Sequence, residues 1–289
     1  MLRIKTCAST SNLGPGFDCL GLALNIYNYF DVEINEKDEL INVEDRYNTP
    51  DNLFLTSYHK ACITFGVDDH IRVRFNCDIP VSRGLGSSSS LITGAIKAAS
   101  VLHGNCLSDE EIFQMVSKIE GHPDNAAPCV YGGFNASFVD SNNAFHNIRM
   151  NFSDEFRLAV FIPDFEVSTA KARSILPDSY SRQIAVNNAS KAILTVHALE
   201  NGDLDLLKEV ARDEIHEPYR KKLIHEFDEL QKIYQEDTDG ILLISGSGST
   251  CFGIARKELS ASGINKLSDL KHNWNYRPVS ISRKGAELI

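Results

Sequence analysis

The stretch Pro80-Val-Ser-Arg-Gly84-Leu-Gly86-Ser-Ser-Ser-Ser90 decides how this chain folds. Upstream of it, His70–Ile79 alternates, with Ile71, Val73, Phe75 and Cys77 on one face, the period of a strand. Downstream, Leu91-Ile-Thr-Gly-Ala-Ile96-Lys-Ala-Ala99 carries its apolar residues at helical spacing. A loop with two glycines and four consecutive serines therefore joins a strand to a helix start. The first N–H groups of that helix have no partner within it, and its dipole adds partial positive charge there. Gly84 and Gly86 remove the Cβ that would keep a ligand from the backbone. The serines can cap the helix, donate to phosphate oxygens or hold a metal ion. In chemical terms this is a phosphate cradle, although a Ser-rich turn that only caps a buried helix would use the same residues. It is neither of the two common forms: no Lys follows Gly86, and Ser89 stands where a dinucleotide fingerprint has its third Gly.

Bulk composition narrows the partners. The chain has 289 residues, 43% of them apolar, and a formal net charge of −10. An acidic balance argues against nucleic acid or an anionic membrane surface as the main partner. Seven scattered cysteines without a Cys-x-x-Cys pair fit reduced thiols better than a disulfide framework or a zinc site. No apolar run is long enough for a membrane span, and Met1-Leu-Arg-Ile-Lys leads directly into strand-like sequence. A soluble cytoplasmic protein is expected.

Three further stretches are dense in chemistry-bearing residues. Ser9-Thr-Ser-Asn12-Leu-Gly-Pro-Gly-Phe-Asp18 is a turn-rich loop between expected strands at 3–8 and 20–24, with another strand at 29–34. Glu120-Gly-His122-Pro-Asp124-Asn125 precedes Gly132-Gly133, which places Glu120, His122 and Asp124 at the mouth of a helix started by Pro123. Ser245-Gly-Ser-Gly248-Ser-Thr250 is a Gly-Ser loop between two strands. Expected helices run from a cap near Asp51 to Gly66, from Ser108 (a capping box with Glu111) to Ile119, over 169–176, and across about 180–200, 203–212 and 218–236.

The whole Pro80–Ser90 string resembles the Pro-x-x-x-Gly-Leu-Gly-Ser-Ser motif of the GHMP small-molecule kinases. Thr10–Asp18 and Glu120–Asn125 are similar to the signatures of the members of that family that phosphorylate homoserine, and Ser245–Thr250 resembles the family's third motif, with Ser249 where Pro is usual. The departure at Ser249 is expected to loosen that loop. The resemblance implies an α+β fold of two lobes: residues 1–153 a nucleotide-binding mixed-sheet lobe with left-handed βαβ character, residues 154–289 a ferredoxin-like lobe. It implies ATP and L-homoserine as substrates, Mg²⁺ as cofactor, O-phospho-L-homoserine as product on the way to threonine, and no nucleic acid or membrane partner. Dimers are common in the family, so a homodimer is a candidate assembly.

Residue by residue, the resemblance assigns ATP binding to Pro80, Val81, Ser82, Arg83, Gly84, Leu85, Gly86, Ser87, Ser88, Ser89 and Ser90, with Asn52 near the base. It assigns Mg²⁺ to Ser88 and Glu120, whose hard oxygens suit that ion. Substrate contacts fall on Asn12, Asp18, His122, Asp124 and Gly248, with Arg173 and Arg220 clamping the carboxylate. Asn125 takes the position where mevalonate- and galactose-type relatives place an aspartate, and an amide cannot accept a proton at neutral pH. Alternatives are a mevalonate-type kinase, which would leave Asp18 and the two arginines poorly used, a non-catalytic nucleotide and metabolite sensor, and an unrelated binding module with a Ser-rich loop.

Overall fold

The alternating segment His70–Cys77 is a strand, and its neighbours set the frame for the site. A computed structural model describes all residues, Met1–Ile289. In chain order the elements are β1 (Leu2–Ser11), β2 (Leu20–Asn35), β3 (Glu39–Ile41), α1 (Leu53–Thr64), β4 (His70–Cys77), α2 (Ser87–Leu102), α3 (Asp109–Glu120), α4 (Ala126–Tyr131), β5 (Phe134–Val139), β6 (Phe145–Met150) and β7 (Arg157–Pro163). They continue with α5 (Thr169–Ser174), α6 (Arg182–Asn201), α7 (Leu204–Val210), α8 (Glu217–Arg220), α9 (Phe227–Thr238), β8 (Ile241–Ile244), β9 (Cys251–Ala255), α10 (Ala261–Leu267), β10 (Trp274–Val279) and β11 (Glu287–Leu288).

The N-terminal lobe is a seven-stranded mixed sheet with the path β11-β1-β2-β4-β3, extended by β5 on β2 and β6 on β5. All its pairings are antiparallel except β3 with β4, a parallel pair whose crossover contains α1. Phe30, Phe54 and Phe75 pack ring to ring at 4.9–5.6 Å, tying α1 to the sheet. The second sheet has the order β10-β7-β9-β8, every neighbour antiparallel. With helices between β7 and β8 and again between β9 and β10, this is the ferredoxin-like βαββαβ arrangement. One apolar cluster bridges the lobes, joining Leu22 and Leu85 to Val160, Leu207 and Phe252.

Several boundaries differ from the sequence expectation, each for a local reason. The strands expected at 20–24 and 29–34 are one continuous β2, and its partner β1 absorbs the mismatch through a register shift at Cys7/Ala8. The cap of α1 falls beside Asp51 as expected, on Asn52, whose Oδ1 accepts from Phe54 N at 2.9 Å. Glu120 is the last residue of α3, with Gly121 as its left-handed C-cap, and so stands at a helix end instead of the mouth of α4. The helix expected over 218–236 breaks into α8, a 3₁₀ turn at Lys221–Leu223, and α9. The break falls at Glu226 (φ 59°), whose carboxylate accepts from the N–H groups of Lys271 and His272. The tail also departs from a division at 153/154. β11 pairs with β1, and Ile281 bridges Leu24, so the chain end belongs to the N-terminal sheet.

Candidate active site

A cleft of about 590 Å³ has walls from both lobes: Tyr47, Asn52 and Phe75, the loop Val81–Gly84, Gly86–Ser89, and Asp18, Arg173 and Arg220. The glycine loop forms its floor because two glycines permit it. Gly84 (φ 73°) would drive a Cβ into the Ser245 carbonyl, and Gly86 (φ 67°) into the Ser9 hydroxyl. Gly86 is the N-cap of α2 and offers no side chain to the first helical N–H groups, which suits them to an anion. The loop is laced to its surroundings by Ser9 N donating to Leu85 O (3.1 Å), Thr250 N to Arg83 O (3.0 Å) and Ser245 Oγ to Gly84 O (2.6 Å).

Not every expected loop residue reaches the cleft. Leu85 is fully buried in the apolar core, and Ser90 bonds Thr6 Oγ1 at 2.6 Å and Asn28 Nδ2 at 2.9 Å. Neither these two nor Pro80 lines the cleft. In the third loop Gly246 and Ser247 line it and Gly248 does not: Gly248 faces Ile224. The Ser249 hydroxyl donates to Phe165 O at 2.6 Å, so the loop is pinned there rather than loosened. Asn52 lines the cleft with its amide already used, donating to Tyr47 O at 2.8 Å while capping α1.

Acidic groups meet the serines beside α2. Ser88 Oγ donates to Glu120 Oε1 at 2.5 Å. Burial pushes the Glu120 carboxyl above its ordinary range despite that bond and the nearby His122. The Ser89 hydroxyl is buried without a partner. His122 Nδ1 lies 2.5 Å from Asp124 Oδ1, and its Nε2 lies 3.9 Å from Glu120 Oε2. Burial favours neutral imidazole, but Asp124 and Glu120 outweigh it and raise the His122 pKa. Asp124 is likewise buried, which alone would raise it, and the bond to His122 holds it low instead. Both shifts favour the charged forms of the pair, imidazolium and carboxylate. Asn125 is fixed at both ends of its amide, accepting from Ser9 Oγ (2.8 Å) and donating to Ser11 Oγ (2.9 Å).

At the other wall Arg173 bonds Asp18 through both terminal nitrogens, at 3.0 and 2.8 Å. Asn12, predicted to face substrate, spends its amide on Gly246 O (2.9 Å) and Asp18 N (3.1 Å) and so shapes the loop that carries Asp18. Arg220 is 2% exposed and donates to Gly246 O (2.9 Å) and Ala172 O (3.3 Å). Phe17 lies 5.1 Å from its guanidinium and stacks on His216. The helix bearing Arg220 is set by Asp213, whose Oδ2 accepts from the N–H groups of Ile215, His216 and Glu217. Ser9, Ser11, Phe17 and Asp213 escaped the sequence reading. An Asp at 213, a turn-forming residue shortly before Glu217-Pro218, was the one available signal.

A nucleotide-phosphate loop, a buried carboxylate on a serine hydroxyl, and a charged pocket in one interlobe cleft describe a small-molecule kinase. The comparisons agree. The GHMP kinases N terminal domain matches residues 52–133, and the GHMP kinases C terminal domain matches residues 195–271. The chain belongs to the GHMP kinases. Its relatives within that family include the homoserine kinases of Clostridium botulinum strain Langeland (36% identical, covering 99% of this chain and 97% of the relative) and Clostridium novyi (35%, 100% and 99%). The fold is that of a homoserine kinase structure from Cytophaga hutchinsonii (TM-score 0.86, 24% identical, covering 100% and 97%) and, at a greater distance, of a mevalonate kinase (TM-score 0.72, 18%, 97% and 99%).

Proposed function

We propose that this chain transfers the γ-phosphoryl group of ATP to the side-chain hydroxyl of L-homoserine, giving ADP and O-phospho-L-homoserine. One observation carries the reading: the glycine loop with its uncapped helix N-terminus shares a single cleft with Asp18, Arg173 and Arg220, a charge set matched to an amino acid's ammonium and carboxylate groups. A mevalonate-type substrate would leave Asp18 with no ammonium to meet. An assay of ADP release with homoserine, mevalonate and galactose tests the assignment. Turnover with homoserine alone supports it, and a preference for either of the others overturns it.

The residues divide the work as follows. The N–H groups of α2 and the Ser87–Ser89 hydroxyls take the phosphates. Glu120 and Ser88 would hold Mg²⁺, and the fit is chemical: two hard oxygens 2.5 Å apart beside an unpartnered buried Ser89 hydroxyl. That ion would neutralise charge developing on the transferred group. Arg220 and Arg173 face the substrate carboxylate, Asp18 its ammonium, and His122 its remaining polar edge. The substrate oxygen attacks phosphorus, the bond from phosphorus to the ADP oxygen breaks, and the hydroxyl proton leaves to solvent. No strong base assists. Asn125 is an amide locked by Ser9 and Ser11, and Asp124 is held by His122. A loose transition state depends on positioning and charge more than on proton removal. We place this chemistry in the cytoplasm, where seven free cysteines would stay reduced.

A further inference from the structure

Away from the cleft, three side chains from three elements meet beside the midpoint of α1. Asp38 comes from the turn between β2 and β3, His59 from α1, and His70 from the first position of β4. Asp38 Oδ2 lies 2.9 Å from His59 Nε2 and 3.2 Å from His70 Nδ1, and the two imidazole nitrogens lie within 4.8 Å of each other. We propose that Asp38, His59 and His70 form a binding site for a borderline divalent transition-metal ion of the Zn²⁺ class.

The donor set is that of a zinc site: two imidazole nitrogens and one carboxylate oxygen, with a position left for water. Tetrahedral zinc with bonds of about 2.0–2.2 Å has ligand-to-ligand edges of roughly 3.3 Å. The two carboxylate-to-imidazole edges come within a few tenths of that length and the imidazole nitrogens lie within 4.8 Å of each other, so side-chain rotations would close the set on an ion. The carboxylate is already oriented from behind, because Asp38 Oδ1 accepts from Ile71 N at 3.1 Å, the supporting contact metal-binding carboxylates require. His59 and His70 are 32% and 51% exposed at the side chain, so an ion can enter.

A second cluster one turn along α1 gives a contrast. Cys62, Asp69 and His103 also converge. There the Tyr58 hydroxyl contacts both Asp69 oxygens at 3.1 Å and His103 Nε2 at 3.3 Å, and burial pushes the Cys62 thiol to about 12. A thiol that stays protonated is a poor ligand.

Cobalt(II) and zinc(II) titrations of the chelator-treated full-length enzyme test the proposal. The expected result is one Co²⁺ with four-coordinate visible bands and no thiolate charge-transfer band, displaced by Zn²⁺. Loss of two of the three protein ligands should abolish this binding in the His59→Gln/His70→Gln variant, and binding should persist in Glu120→Gln. Zinc should raise Tm on the order of 5 °C at roughly a hundredfold excess over Kd, in the native chain only. If the double variant does not fold, diethylpyrocarbonate mapping of the native enzyme replaces it. Zinc must then shield His59 and His70 while the exposed His146 still reacts. A thiolate band, equal affinity in the double variant, or unshielded His59 and His70 would overturn the assignment.

Discussion

Arg173 grips Asp18 through two parallel bonds, joining α5 of the C-terminal lobe to the loop between β1 and β2. The two charges neutralise each other across the cleft, and each keeps the other aimed into it. Asp18→Asn removes the only carboxylate of that pair and frees the arginine. A charge-assisted bond to a substrate is worth about 1.5–3 kcal/mol, so KM for homoserine should rise on the order of 10- to 100-fold while KM for ATP holds. Steady-state kinetics with each substrate varied in turn will show this, and an equal rise in both would place Asp18 outside the substrate pocket.

Arg220 differs from Arg173 in being part of the structure it serves. Lysine keeps the charge and loses the planar fork that reaches Gly246 O and Ala172 O. Arg220→Lys should therefore raise KM for homoserine and lower Tm by several degrees, since a buried carbonyl left unpaired costs about 1–3 kcal/mol. The half-exposed Arg173, changed to Lys, should raise the same KM with little loss of Tm. Calorimetric melts beside the kinetics separate the two behaviours.

Glu120→Gln keeps the shape of the site and removes its buried charge. Turnover should fall ~10²-fold or more with the fold intact, the scale of losing one preorganised electrostatic group. A near-normal rate at saturating Mg²⁺ contradicts the role given to Glu120.

The motifs that carry chemistry are contiguous in sequence, which is why the glycine loop, Glu120–Asn125 and the third loop could be read directly. What could not be read depends on partners far away along the chain. Ser9 and Ser11 are ordinary hydroxyls of a strand until folding sets them against Asn125, more than a hundred residues on. Gly248 and Gly246 look equivalent in the sequence, and only packing on Ile224 turns one away. The break before α9 depends on Glu226 meeting the backbone at Lys271, a contact no helical periodicity records.

Asp124 and Glu120 raise the His122 pKa above its ordinary value, which favours the imidazolium over the free base. With no base in the proposed mechanism, log kcat should show no acid limb from a titrating imidazole at about pH 6–7 or just above. His122→Gln should keep a measurable kcat and lose mainly homoserine affinity. A loss of ~10⁴-fold in kcat, together with disappearance of a pH limb in that range, would make His122 the base after all.

Glu217 gives a stability test independent of turnover. Burial pushes its carboxyl to about 7 while Oε1 accepts from Ile244 N. Between the ordinary glutamate pKa of 4.5 and about 7 the folded chain holds a proton that the unfolded chain releases. This group therefore lowers stability progressively as pH rises through that window. Glu217→Gln keeps the acceptor and cannot ionise, so its stability relative to the native chain should grow from pH 4.5 to 7. Urea denaturation at several pH values measures the difference. A pH-independent gap would show that Glu217 ionises normally.

The central claim is the identity of the acceptor and the bond made to it. Phosphorus NMR of a reaction holding enzyme, ATP, Mg²⁺ and L-homoserine reads it in one spectrum. The account predicts that the γ-phosphate resonance disappears as a phosphate monoester grows in equal amount, with proton coupling to the methylene that bore the hydroxyl. Release of inorganic phosphate alone, or an unchanged ATP spectrum when homoserine is added, would contradict it.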